Sequence, residues 1–127
     1  MYRILIVEDE RIIAEDIKCS LIQFGYQIAD LASSAEEAID KSDKHRPDLV
    51  LMDICLQGDQ NGVYAAKEII MHFKIPVIFI TANADQISWD NFHEVEHSGY
   101  LIKPFFSEDL RQKVEFALET RDPALVI

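Results

Sequence analysis

Short apolar runs alternate along this chain with longer segments in which apolar residues recur every three or four positions. The runs are rich in Ile, Val and Leu and show no polar alternation, which is typical of strands buried on both faces. The run that contains Asp30 is the least apolar of them. The predicted strands cover residues 4–7, 27–31, 49–52, 76–80 and 100–102.

The segments between the runs have the apolar spacing of amphipathic helices. We predict that Gly25 ends the first helix and that Ser34 and Glu37 form a capping box at the start of the second. The apolar stripes comprise Ile13, Ile17, Leu21 and Phe24; Ala38 and Ile39; Val63, Ala66, Ile69, Ile70 and Phe73; a less regular set with Ile87 and Val95; and Leu110, Val114, Ala117 and Leu118.

This strand–helix alternation, repeated five times, predicts an α/β fold. A doubly wound parallel sheet would carry helices on both faces, joined by right-handed connections. The length of 127 residues suits one domain with a single sizeable core. In such sheets ligands bind beyond the carboxyl ends of the strands. The residues that follow each predicted strand are therefore the candidates for chemistry.

The net charge of the chain limits the classes of partner that it can bind. The formal net charge is −11 and the sequence pI is about 4.6, so the domain should repel phosphate backbones. We therefore expect no direct nucleic-acid binding and favour a cation site or a basic partner. No apolar run approaches the length of about 20 residues that spans a bilayer, and the start of the chain lacks a signal peptide. A cytoplasmic protein is expected, with Cys19 and Cys55 as free, buried thiols.

Polar side chains follow four of the five predicted strands, and a parallel sheet would bring them to one edge. Three carboxylates so close together would repel one another unless a cation lay among them, and hard oxygen ligands favour Mg²⁺ or Mn²⁺. A carboxylate beside such a cation and an ammonium group is suited to attack phosphorus. The pattern predicts an aspartyl-phosphate site made of Glu8, Asp9, Asp53, Thr81 and Lys103.

Four motifs at these positions resemble the receiver domain of two-component response regulators. They are ILIVEDE at residues 4–10, LVLMDICLQGDQNG at 49–62, FITA at 79–82 and GYLIKPF at 99–105, and the resemblance runs from about residue 2 to residue 120. It implies a flavodoxin-like (βα)5 fold with strand order 2-1-3-4-5, the order of other members of this family. The receiver domain would span residues 1–121, and residues 122–127 would be a tail or the start of a linker.

The resemblance also implies a role for each site residue. Asp53 would be the phosphoacceptor, Lys103 and Thr81 would bind phosphoryl oxygens, and Tyr100 would move inward as Thr81 moves. The implied magnesium ligands are Asp9, Asp53 and the backbone carbonyl of Cys55, with Glu8 acting through a metal-bound water. Ala82 would leave space beside Thr81, and the bond before Pro104 would be cis.

The implied function is signalling rather than enzymatic turnover. A sensor histidine kinase would donate a phosphoryl group to Asp53, and the added charge would repack the face made by the fourth helix, fifth strand and fifth helix. A downstream output domain or protein would read that face, and phosphorylation could drive formation of a homodimer. A degenerate receiver that acts only as a protein-interaction scaffold is the alternative.

Three other patterns suggest different functions, and each lacks residues that its function would need. His93-Glu94-Val95-Glu96-His97 matches the zinc-protease pattern H-E-x-x-H, but no third ligand is evident. The loop from Asp53 lacks the carboxylates of an EF-hand. A phosphohydrolase that uses an aspartyl phosphate would need a second Asp where Cys55 stands, and it would need a substrate cap for which the chain has no room.

Overall fold

The computed structural model describes residues 1–56, 62–82 and 99–121. The predicted fourth helix, with Ile87 and Val95, lies outside these residues, as does the segment 122–127. The elements are β1 (Arg3–Val7), α1 (Arg11–Gln23), β2 (Gln27–Ala32), α2 (Ala35–His45), β3 (Leu49–Asp53), α3 (Gly62–Phe73), β4 (Val77–Thr81), β5 (Tyr100–Ile102) and α4 (Ser107–Arg121), the last being the fifth helix of the prediction.

All five strands belong to one parallel sheet with the order β2-β1-β3-β4-β5, so the predicted fold and strand order are confirmed. Each predicted strand is present, with ends shifted by one residue at most. β2 and β5 form the two edges, which accounts for the weaker apolar character of the run around Asp30. Among the described helices, none combines the length and the apolar content that crossing a bilayer requires.

Alternate residues of each strand contribute side chains to two separate cores, because successive side chains of a strand point to opposite faces. On one face, Leu5, Val50 and Phe79 pack with α2 and α3. On the other face, Ile6 and Leu51 pack with α1 and α4. This two-sided burial explains why the strands read as continuous apolar runs in the sequence.

The predicted end of α1 and the predicted start of α2 are confirmed, with one change in the cap of α2. Gly25 follows α1 with φ +95°, a backbone conformation that glycine adopts readily. The Ser34 hydroxyl accepts a hydrogen bond from the Glu37 N–H at 3.1 Å. The Glu37 carboxylate, however, accepts from the Ser33 hydroxyl at 3.1 Å, so only the serine half of the capping box is formed as predicted.

Both cysteines are free, as expected, but the prediction that both are buried is wrong for Cys19. The buried face of α1 carries Ala14, Ile17 and Leu21. Cys19 lies two residues from Ile17, about 200° around the helix, and therefore faces outward. Cys55, next to the third strand, is half-buried.

Candidate functional site

The carboxyl ends of β1, β3, β4 and β5 lie side by side, and each is fixed by backbone hydrogen bonds. The Glu8 N–H donates to the Ala32 carbonyl at 2.9 Å, which continues the pairing of β1 one residue beyond its end. The Lys103 N–H donates to the Thr81 carbonyl at 2.8 Å in the same way. These bonds fix the backbone of Glu8 and Lys103 relative to the neighbouring strands.

Three carboxylates meet at this edge of the sheet. Ligand oxygens of Glu8, Asp9 and Asp53 lie within 4.8 Å of one another. Glu8 and Asp53 are buried, whereas Asp9 is exposed. The cluster thus has an open side at Asp9 and a closed side at the other two.

The Lys103 ammonium crosses from the edge strand to reach the closed side. Its Nζ donates to both carboxylate oxygens of Glu8, at 2.9 and 3.0 Å, and to Oδ2 of Asp53 at 3.3 Å. The Glu8 side chain in this contact is fully buried. The predicted grouping of Glu8, Asp53 and Lys103 is therefore present in the fold.

Burial and mutual repulsion set the acid–base behaviour of this group. Burial, together with the neighbouring Asp53, raises the pKa of Glu8 to about 8, although Lys103 acts in the opposite direction. Burial by itself lowers the pKa of Lys103, but its contacts with Glu8 and Asp53 outweigh that effect and raise it. The lysine therefore stays charged, and the raised pKa of Glu8 shows that the cluster does not readily hold the full negative charge of its three carboxylates.

The chemistry of the donors fits a hard divalent cation. Carboxylate oxygens are the ligands that Mg²⁺ and Mn²⁺ prefer. The Cys55 N–H donates to Asp53 Oδ1 at 3.1 Å, so the backbone of Cys55 runs directly beside the cluster. Burial and the charge of Asp53 raise the pKa of the Cys55 thiol, which keeps it protonated and a poor ligand.

The remaining predicted site residues lie within β4 and β5 or directly after them. Thr81 is the last residue of β4 and is buried, and Ala82 after it is exposed. Tyr100 opens β5 with 38% of its surface exposed. The Lys103–Pro104 peptide bond is cis.

Gly62 is a positioning residue that the sequence reasoning missed. Its N–H donates to the Ile54 carbonyl at 3.0 Å, and a Cβ at this position would lie 2.0 Å from the Asp53 carbonyl oxygen. Only glycine lets α3 begin this close to the strand that carries Asp53. A glycine directly after the polar residues 57–61 and directly before an apolar helical stripe was the available signal.

A cleft of about 270 Å³ opens beside Glu8 and Asp9, between the starts of α1 and α2. Its walls combine Arg11, Ser33 and Glu37 with the apolar surface of neighbouring residues of α1 and β2. The cleft provides access to the exposed side of the acidic cluster. The H-E-x-x-H motif at 93–97 and residues 57–61 of the candidate EF-hand loop lie outside the described residues.

The sequence profile of the response regulator receiver domain matches residues 4–115. The chain belongs to this family. The match covers most of the chain, so the family predicted from the four motifs is confirmed.

Relatives of this receiver domain include longer proteins. The transcriptional regulatory protein PdtaR from Mycobacterium tuberculosis is 34% identical over 116 residues, which are 91% of this chain and 56% of PdtaR. The chain thus spans little more than half the length of that curated relative. The receiver domain of a modulated diguanylate cyclase from Desulfovibrio desulfuricans superposes with a TM-score of 0.88 at 32% identity, covering 95% of this chain and 96% of that one.

A second solved structure bears on the acidic cluster. It is the receiver domain of a sensor histidine kinase from Pseudomonas aeruginosa, with a magnesium ion coordinated in its active site cleft. It is 30% identical, has a TM-score of 0.81 and covers 92% of this chain and 97% of its own. Magnesium binding in the acidic pocket is thus found within the family.

Membership of the receiver family indicates the biochemical class of this domain. This receiver domain is a phosphoacceptor signalling module of two-component regulatory systems. The degenerate-scaffold alternative is disfavoured, because the acidic cluster and its lysine are both in place.

Proposed function

We propose that Asp53 is the residue that accepts the phosphoryl group. The observation that carries this proposal is that the buried strand-end carboxylate of Asp53 contacts the Lys103 ammonium at 3.3 Å and lies within 4.8 Å of two further carboxylates. Asp9 is exposed and lies nearer to solvent, whereas Glu8 is fully engaged by Lys103. Asp53 is therefore the carboxylate best supported as the nucleophile.

In the proposed reaction an Asp53 carboxylate oxygen forms a bond to the phosphorus of a phosphohistidine while the phosphorus–nitrogen bond breaks. The imidazole nitrogen keeps the electron pair and takes a proton from solvent. Lys103 donates hydrogen bonds to a phosphoryl oxygen, and the buried Thr81 hydroxyl donates to another. The exposed Ala82 beside it leaves the phosphoryl group room to enter.

Mg²⁺ or Mn²⁺ would be held by Asp9, Asp53 and the backbone carbonyl of Cys55, with Glu8 acting through a bound water. When bound, such a cation neutralises the phosphoryl oxygens as their charge shifts during transfer. The carbonyl ligand is independent of side-chain type, so cysteine is compatible with the site. Hydrolysis of the acyl phosphate would use the same groups, without sustained turnover of a separate substrate.

The proposed output is a change at the edge of the sheet. Thr81 and Lys103 are joined by a backbone hydrogen bond, so recruitment of both to a phosphoryl group would act on β4 and β5 together. Tyr100, at the start of β5, would move from its exposed position towards the space that Thr81 leaves. A downstream protein, an output domain or a second copy of the chain would recognise the altered face.

The proposed setting is cytoplasmic, with a sensor histidine kinase as phosphodonor and no direct contact with nucleic acid or membrane. The net charge of −11 supports the exclusion of nucleic acid for this domain. We assign residues 1–121 to the receiver domain and residues 122–127 to a tail or linker.

The test is the intact mass after incubation with Mg²⁺ and acetyl phosphate. One gain of about 80 Da, the mass of a phosphoryl group, is expected, and it should require Mg²⁺. Asp53→Asn should abolish the gain, whereas Asp40→Asn, which removes an exposed carboxylate on α2, should not. A gain retained in Asp53→Asn would move the phosphoacceptor to another residue.

A further inference from the structure

Lys103 makes its closest contacts in the site with Glu8 rather than with Asp53. Both oxygens of Glu8 accept from Nζ, at 2.9 and 3.0 Å, whereas the single contact with Asp53 is at 3.3 Å. The Glu8 side chain is fully buried and that of Lys103 is 16% exposed, so water screens this pair weakly. Glu8 therefore determines where the lysine ammonium lies.

The oxygens that hold Lys103 belong to the same carboxylates that a divalent cation would use. Glu8 and Asp53 both contribute to the acidic cluster, and both accept hydrogen bonds from Lys103. The other Asp53 oxygen accepts from the Cys55 N–H. A cation entering from the exposed Asp9 side would thus compete with the ammonium for the same lone pairs.

We propose that Glu8 is a positioning residue that makes the availability of Lys103 depend on the divalent cation. While both Glu8 oxygens accept from Nζ, the lysine is held at the floor of the site. Engagement of Glu8 with the hydration shell of a cation weakens that hold, and the ammonium can then donate to a phosphoryl oxygen on Asp53. This inference rests on the proposed function and adds an order of events to it.

The length of the Glu8 side chain is the feature that makes this coupling specific. An aspartate at the same position would be shorter by one methylene, about 1.5 Å. It could not keep two hydrogen bonds to Nζ from the same backbone position. Glu8→Asp should therefore retain the charge of the acidic cluster while releasing Lys103.

The first test needs no substitution. The Lys103 ammonium resonance is followed by NMR while Mg²⁺ is added, with Lys113, which is exposed on α4, as the reference lysine. We expect the Lys103 signal to shift and its proton exchange to accelerate with the same midpoint as Mg²⁺ binding measured by calorimetry. An unchanged Lys103 signal in protein that binds Mg²⁺ would overturn the proposal.

The second test is a double-mutant cycle on Mg²⁺ affinity. Lys103→Met should tighten Mg²⁺ binding by roughly tenfold when Glu8 is present, because the competing donor is gone, and by less than about threefold in the Glu8→Asp background. Lys113→Met and Glu10→Asp serve as charge-matched and length-matched controls and should leave the affinity unchanged. An equal effect of Lys103→Met in both backgrounds would show that the lysine acts by charge alone.

The outcomes separate this inference from the proposed function. Phosphorylation of Asp53 with an unresponsive Lys103 signal would reject the role of Glu8 and leave the phosphoacceptor assignment intact. Absence of Mg²⁺ binding in the folded protein would reject both.

Discussion

Asp30 illustrates how a single side chain on an edge strand can fix the neighbouring helix. One of its oxygens accepts from the Leu31 N–H at 2.7 Å, and the other lies 3.5 Å from Lys41 Nζ and 3.3 Å from His45 Nε2. Burial alone would raise the pKa of Asp30, but these donors outweigh it and lower the pKa. The carboxylate therefore stabilises the folded state in its ionised form.

We expect Asp30→Asn to lower the free energy of unfolding by about 0.5–1 kcal/mol at pH 7, because the group is partly exposed and screened. A carboxyl group with a lowered pKa contributes stability above its unfolded pKa, and this contribution is lost as the pH falls through the folded pKa. Urea unfolding should show the full difference at pH 7 and a smaller one at pH 3. A loss of equal size at both pH values, or the same loss in Asp40→Asn, would contradict this account.

Thr81 offers a second prediction at the scale of one residue. Thr81→Ala should still be phosphorylated, because Asp53 and Lys103 are unchanged, but it should lack the hydroxyl that links phosphorylation to Tyr100. The ring resonances of Tyr100, recorded before and after phosphorylation, should shift in the natural protein and stay nearly fixed in the variant. Equal shifts in both proteins would show that Tyr100 responds without Thr81.

Single residues were also where sequence reasoning was weakest. The expectation that functional residues follow the carboxyl ends of the strands correctly grouped Glu8, Asp53 and Lys103, because the carboxyl ends of parallel strands lie at one edge of the sheet. It could not show that Glu8 takes two of the three Lys103 contacts in the acidic site, since that depends on side-chain length and rotamer. The exposure of Cys19 was missed because cysteines are usually buried, and the position of Cys19 relative to the apolar stripe of α1 was not considered.

At the scale of elements, the first residue of α3 lies very close to the backbone at the end of β3. Gly62 begins α3 against the backbone of Asp53, and there is no room for a side chain. Gly62→Ala should lower the free energy of unfolding by about 3 kcal/mol or more, because backbone atoms must move. Thermal and urea unfolding of the purified variant would measure this.

Gly25 supplies the matched control for that prediction. It has a positive φ of +95°, but a Cβ there would meet no atom within 4 Å. Gly25→Ala should therefore cost only the backbone strain, about 1–2 kcal/mol. A smaller loss for Gly62→Ala than for Gly25→Ala would mean that the close approach of α3 relaxes easily.

The elements themselves were predictable because burial on both faces leaves long apolar runs, and amphipathic helices leave a spacing of three or four. The run at 27–31 was weak for a physical reason, since β2 is an edge strand and carries Asp30 for its contact with α2. The capping box was only half correct because Ser33 competes with the backbone for the Glu37 carboxylate.

At the scale of the whole molecule, the net charge of −11 and the acidic cluster should make stability depend on divalent cations. Mg²⁺ at ten times its dissociation constant should raise the free energy of unfolding by about 1.4 kcal/mol, because it binds only the folded site. Thermal unfolding in MgCl₂ would be compared with NaCl at equal ionic strength.

Two variants separate site binding from general screening. Asp53→Asn should lose most of the Mg²⁺-specific increase, whereas Asp40→Asn should keep it. Equal stabilisation by NaCl, or an unchanged increase in Asp53→Asn, would indicate that the cation acts on the overall charge.

The contact between Glu8 and Lys103 joins residues 95 positions apart in the chain. During synthesis the acidic residues emerge first, and the lysine that partners them follows Glu8 by 95 positions. A nascent chain that stops before Lys103 would carry Glu8 and Asp53 without their countercharge and without the edge strand. Competence to receive a signal is therefore acquired only after Lys103 has emerged, so chains that stop before this residue should not compete with longer chains for phosphoryl groups.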